Sequence, residues 1–105
     1  MSEVGGENAA AGLRVGHLLR VSSYLEIAII SMWTGSPLAE VTIGMVEASL
    51  RGGGPGGDDD LLEKLRALVG EARDYHTSDD FPAAMARMRV AQDLTDLRIV
   101  THTGG

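Results

Sequence analysis

Apolar residues recur at helical spacing in four stretches, and turn-forming residues separate them. The first stretch is the densest. From Leu13 to Trp33 an apolar side chain returns every three or four residues, which predicts a first helix over about 13–33. Gly12 and Gly16 weaken its opening turns by about 1 kcal/mol each relative to Ala. Residues 1–11 carry the Gly5-Gly6 pair and no apolar periodicity, and read as a flexible lead-in. Thr34-Gly35-Ser36-Pro37 ends the helix: Gly35 suits a left-handed C-terminal cap, Ser36 can cap the next helix, and Pro37 fits its first position.

A second helix is predicted from Pro37 to about Arg51. Leu38, Val41, Met45 and Ala48 form one stripe; Glu40, Gly44, Glu47 and Arg51 form the opposite face, with Glu47 and Arg51 spaced as an i,i+4 ion pair. The β-branched run Val41-Thr42-Ile43 leaves a strand open there. Gly52-Gly53-Gly54-Pro55-Gly56-Gly57 follows and reads as a linker, because glycine resists ordering and proline blocks helix propagation.

Asp58-Asp59-Asp60 opens a third helix, where acidic groups suit the positive end of the helix dipole and Asp60 with Glu63 has capping-box spacing. The alternating acidic pattern of a calcium loop is absent, so capping is preferred to metal binding. Leu61, Leu65, Leu68, Ala72 and Tyr75 form the stripe of this helix. Ser78 is a candidate N-cap for a fourth helix over about 79–96, with Phe81, Ala84, Met85, Met88 and Ala91 on its apolar side. Residues 99–105 read as a tail. The pattern therefore predicts an all-α, single-domain chain of two αα-hairpins, 12–51 and 58–98, joined by the Gly-rich linker.

Composition narrows the function. The 105 residues are one domain's worth, 44% of them apolar, enough for a modest core. A net charge of −6 disfavours nucleic-acid phosphates as partners. No cysteine is present, which removes disulfides, thiolate nucleophiles and Cys-bound zinc. The start lacks a basic segment followed by an apolar one, and the longest apolar run is about half of what a spanning helix needs. A cytoplasmic protein without membrane contact is the expectation. No metal-binding H-E-x-x-H, no G-x-S-x-G elbow and no phosphate-cradling Gly-x-x-x-x-Gly-Lys motif occurs, and no cofactor is expected.

Candidate chemistry comes down to Glu26 in Tyr24–Trp33. At 100° per residue, Arg14, His17, Arg20, Tyr24 and Ser31 share one side of the first helix. Glu26 falls amid the other arc, with Val15, Leu18, Leu19, Leu25, Ile29, Ile30 and Trp33. Three roles stay open for it. It pairs, buried, with Arg66, Arg73, Arg87 or Arg89 of another helix; it lies at a rim or an oligomer seam; or it is a general acid or base, or ligand-binding group, in an apolar pocket. The 24–33 segment is apolar nearly all round and wants cover on every side. The preferred expectation is thus a non-catalytic interaction, adaptor or regulatory module. It self-associates through the first helix, with Tyr24, Glu26, Ile30 and Trp33 at the interface. The alternative is a small helical enzyme or ligand-binding protein using Glu26.

Leu68, Ala72 and Tyr75, then Phe81, Ala84, Met88 and Ala91, follow the large–small–aromatic order of a tetratricopeptide-type hairpin, which residues 61–96 resemble. Ala72 replaces that family's usual Gly and no Pro closes the repeat. The resemblance implies a scaffold that binds peptides in a concave groove. Trp33-Thr34-Gly35 resembles the W-x-G turn of small secreted helical-hairpin proteins, whose long second helix is interrupted here by the glycine run. The final Gly104-Gly105 is similar to the tail of ubiquitin-like sulfur carriers, a resemblance that implies a β-grasp fold and a diglycine-tailed carrier.

Overall fold

The computed structural model describes the backbone of residues 2–51 and 56–103, and the side chains of 12–51 and 56–103. It contains α1 (Ser2–Trp33), α2 (Ala39–Arg51), α3 (Asp59–Thr77) and α4 (Phe81–Thr103), with no strand among the described residues. The all-α, four-helix expectation holds. The strand left open at 41–43 does not form: Thr42 returns its hydroxyl to the Ala39 carbonyl at 2.8 Å, and Ile43 is buried inside a helix. Residues 52–55 of the expected linker and Gly104-Gly105 lie outside the described residues.

Two helices outrun their predicted bounds. α1 begins at Ser2 instead of near Leu13. Ala9-Ala10-Ala11, the strongest helix formers, bridge the glycines on either side. α4 runs on to Thr103, through residues expected as a tail, because no Gly or Pro interrupts 97–103 and Ile99 packs against the core.

The turns are decided by local chemistry. After α1, Gly35 takes φ +69° and donates to the Met32 carbonyl at 3.1 Å, while Ser36 donates to Ser31 at 2.9 Å. This is a Schellman cap. Ser36 Oγ then accepts the Leu38 amide at 3.1 Å, the N-cap expected of it. After α3 the same geometry recurs with Asp79 at φ +60°: Asp79 donates to His76 at 3.1 Å and Asp80 to Tyr75 at 2.8 Å. Asp80, not Ser78, caps α4, its carboxylate accepting the Ala83 amide at 3.3 Å.

The helices pack in a ring, each against its two neighbours in the order α1, α2, α3, α4, and among the described residues the backbones of diagonal helices stay apart. The α1 contribution to the core is Leu18, Val21, Leu25, Ala28 and Met32, a 3-4-3-4 spacing that makes one heptad seam. α3 turns its predicted stripe inward, with Leu68 and Tyr75 half-buried and Leu62 and Val69 added, and α4 buries Ala84, Met85, Met88 and Ala91 of its stripe but leaves Phe81 exposed. In α2 the expected face is wrong. Ala39, Ile43, Val46 and Leu50 are buried, whereas Leu38, Val41 and Met45 are exposed, the first two by 60% and 59%. Helix α2 is apolar on both sides, and the short Schellman turn fixes the rotation that chooses between them. Glu47 accordingly leaves Arg51 and reaches Arg73 of α3 at 2.6 Å.

Candidate functional site

The outward surface of α1 carries a second seam. Gly12, Gly16, Leu19, Ser23, Glu26, Ile30 and Trp33 follow one another at 4-3-4-3-4-3 spacing, and all are exposed except the half-buried Gly16. Such spacing keeps one line of side chains facing a partner helix over six turns. Ile30 is 54% and Trp33 66% exposed, with Leu19 and the flanking Ile27 also in solvent. A Cβ built at Gly12 or Gly16 meets nothing, so nothing in the bundle packs on these positions. The ring accounts for the exposure: among the described residues α1 packs only against α2 and α4, and this face of it points at neither.

Glu26 is therefore not where the buried-ion-pair role needs it. It is exposed, and no Arg among the described residues meets it. The wheel merged two seams into one broad arc and set Glu26 at the centre; the bundle buries one edge of that arc and leaves Glu26 on the other. Three of its four expected partners are engaged elsewhere, and the fourth, Arg89, is exposed and does not meet it. Arg66 donates to the Leu50 carbonyl at 2.7 Å, capping the end of α2; Arg73 holds Glu47; Arg87 lies 3.7 Å from Glu71 and over the Tyr75 ring. The pocket role fares no better. A groove of about 330 Å³ between α1 and α2 is lined by His17, Arg20, Tyr24, Met45, Ala48 and Ser49, and another of about 210 Å³ by Glu47, Leu50, Arg51 and Arg66. Glu26 lines neither.

Of the four interface candidates, Glu26, Ile30 and Trp33 share the outward seam. Tyr24 is half-buried, packs against the core, and lines the groove on the α2 side of α1. Trp33 leans on Phe81 at the start of α4, the ring centroids 6.0 Å apart.

The strongest electrostatic cluster escaped the sequence. Asp58, read as one of three dipole-facing acids, is 3% exposed. Its Oδ1 accepts from Arg14 at 3.0 Å, Arg98 at 3.0 Å and His102 at 3.1 Å. Arg98 also reaches Asp60 at 3.1 Å, so the Asp60–Glu63 capping box gives way to this cluster. Burial pushes the Asp58 carboxyl up, but the hydrogen bonds from Arg14, His102 and Arg98 prevail and hold it at about 2. Gly57 is required here. It sits at φ +92°, its carbonyl accepts a hydrogen bond from Arg14 at 3.1 Å, and a Cβ would come 2.7 Å from the Arg14 guanidinium carbon. The cluster ties α1, the start of α3 and the end of α4 together. Its members lie up to 88 residues apart in the chain, beyond any local pattern.

Among the described residues no three His, Asp or Glu side chains gather closely enough to hold a metal ion. Gly12–Trp33 is long and apolar enough to cross a membrane by length and composition alone. Of its most apolar window 28% is buried in the bundle, through the inward seam from Leu18 to Met32. The β-grasp fold that a diglycine carrier needs is not the fold of the described residues. α3 and α4 do form an antiparallel hairpin over the tetratricopeptide-like span, but α1 and α2 close it into a ring. No protein-family model matches the chain, and neither a curated protein nor a solved structure is similar to it.

Proposed function

We propose that this chain is a non-catalytic protein-interaction module that binds a second copy of itself through the outward face of α1, in an adaptor or regulatory role. The observation that carries the reading is the outward heptad seam. Large apolar side chains at regular spacing in water cost hydration free energy, about 25 cal/mol for each Å² left uncovered. A contiguous exposed patch of this kind marks an interaction site. The exposed stripe Leu38, Val41 and Met45 on the neighbouring α2 widens the apolar surface beside it.

A soluble partner helix suits the seam better than lipid does. Glu26 lies within it and Arg20 flanks it on the side of the α1–α2 groove, both exposed, and a charge at the centre of a bilayer costs about 3 kcal/mol or more. The test is solution mass. Light scattering at micromolar concentration is expected to give twice the 11.1 kDa chain mass, and Ile30→Glu to return it to 11.1 kDa without loss of helicity. A wild-type mass of 11.1 kDa under these conditions ends the reading.

A further inference from the structure

The outward seam also specifies how two copies meet. Resting on the self-association proposed above, we infer that the two α1 helices pair antiparallel about a two-fold axis between Ser23 and Glu26, and that Glu26 with Arg20 sets this orientation. In that register Gly16 faces the partner's Trp33, Leu19 faces the partner's Ile30, and Ser23 faces the partner's Glu26. The two-fold repeats each pair, as an isologous interface requires.

Three features of the seam converge on this arrangement. The first is size. The seam is small at its N-terminal end, with Gly12 and Gly16 open to solvent, and large at its C-terminal end, with Ile30 and Trp33 standing out. Antiparallel pairing sets Gly16 against the bulky Trp33 and Ser23 against Glu26, and brings Leu19 onto Ile30 as an apolar layer between them. Parallel pairing stacks Trp33 on the partner's Trp33 and leaves a void between facing glycines.

The second is charge. Glu26 is the one charged residue in the seam from Gly12 to Trp33. A parallel pair puts it against its own copy, two like charges at an interface. The antiparallel register gives its carboxylate the partner's Ser23 hydroxyl as a donor and places the partner's Arg20 guanidinium one turn away. The third is availability. Arg20 and Glu26 are both exposed, and neither makes an ion pair or side-chain hydrogen bond among the described residues. The arrangement assigns Glu26 a specificity role at a seam, one of the three roles left open by the sequence.

The absence of cysteine makes the orientation measurable. A spin label on Thr34→Cys, just past Trp33, reports the distance between the two α1 C-termini. The antiparallel register separates them by about 28 Å along the axis at 1.5 Å per residue. A parallel pair leaves them only about 10 Å apart, the width of a helix contact. Charge reversal is the second arm. Arg20→Glu and Glu26→Arg are each expected to weaken the dimer about 5- to 10-fold, and the double exchange to restore it to within about 3-fold. Both positions are exposed in the bundle, so circular dichroism is expected to be unchanged.

The outcomes separate cleanly. A dimer with a single long distance and a restoring exchange supports the inference. A dimer with a short distance, or an exchange that does not restore, overturns the orientation and leaves self-association standing. A monomeric wild type overturns both. A monomer that co-sediments with phosphatidylcholine vesicles gives the face to lipid instead.

Discussion

At Asp58 a single carboxylate holds together three helices that the chain keeps far apart. Its carboxyl titrates at about 2 in the fold against 3.8 in the open chain. The folded-state value is the lower one, so the stabilisation is complete above about pH 4 and is lost as pH falls toward 2. A shift of this size corresponds to about 2 kcal/mol at neutral pH. Asp58→Asn is expected to lower the urea-unfolding free energy by about that amount at pH 7. The gap from wild type should close between pH 4 and pH 2. A gap that persists unchanged at pH 2 would mean that the charge of Asp58 is not what stabilises. None of this was legible locally. Asp58 stands first in a run of three acids that any helix start would welcome, and only the fold brings Arg14, Arg98 and His102 to it. Glu26 teaches the converse. The wheel places it amid the apolar arc, but which part of that arc meets the core is not a property of the wheel.

Among the elements, ends were more legible than faces. Gly35 and Ser36 behave as their chemistry dictates, because a cap is decided within about six residues. Asp79 adopts the same left-handed geometry without being glycine, which costs an L-residue about 1 kcal/mol. Asp79→Gly is expected to stabilise the protein by about 0.5 kcal/mol, the relieved strain less the added chain entropy, as a rise in the urea midpoint. A fall would show that the Asp79 side chain itself supports the turn. Faces were harder, for one reason in both misread helices. α1 and α2 each carry two apolar stripes, and helical periodicity reports a stripe without saying what covers it. In α3, whose opposite face is rich in Glu, Lys, Arg and Asp, the predicted stripe faces inward; α4 buries Ala84, Met85, Met88 and Ala91 as predicted, although Val90, Leu97 and Val100 stand exposed on its other side.

For the whole molecule, the proposed self-association would make stability depend on concentration, since a partner that binds only the folded state stabilises it by mass action. A tenfold rise in protein concentration near the dissociation constant is expected to add up to about 1.4 kcal/mol and raise the melting temperature by a few degrees. Ile30→Glu should remove that dependence. The single Trp33 gives an independent signal: its emission is expected to shift to longer wavelength as dilution separates the copies. An emission constant across the dissociation range would leave Trp33 outside the interface. By itself the sequence determined the all-α class, four helices, the sharp turn after Trp33 and the inward faces of α3 and α4, because spacing, capping and charge are local properties. Only the tertiary structure decided the inward faces of α1 and α2, the outward seam, and the joining of Asp58 to Arg14, Arg98 and His102. Each of these depends on which surfaces the ring of four helices leaves uncovered and which distant residues it brings into contact, and no window along the chain contains that information.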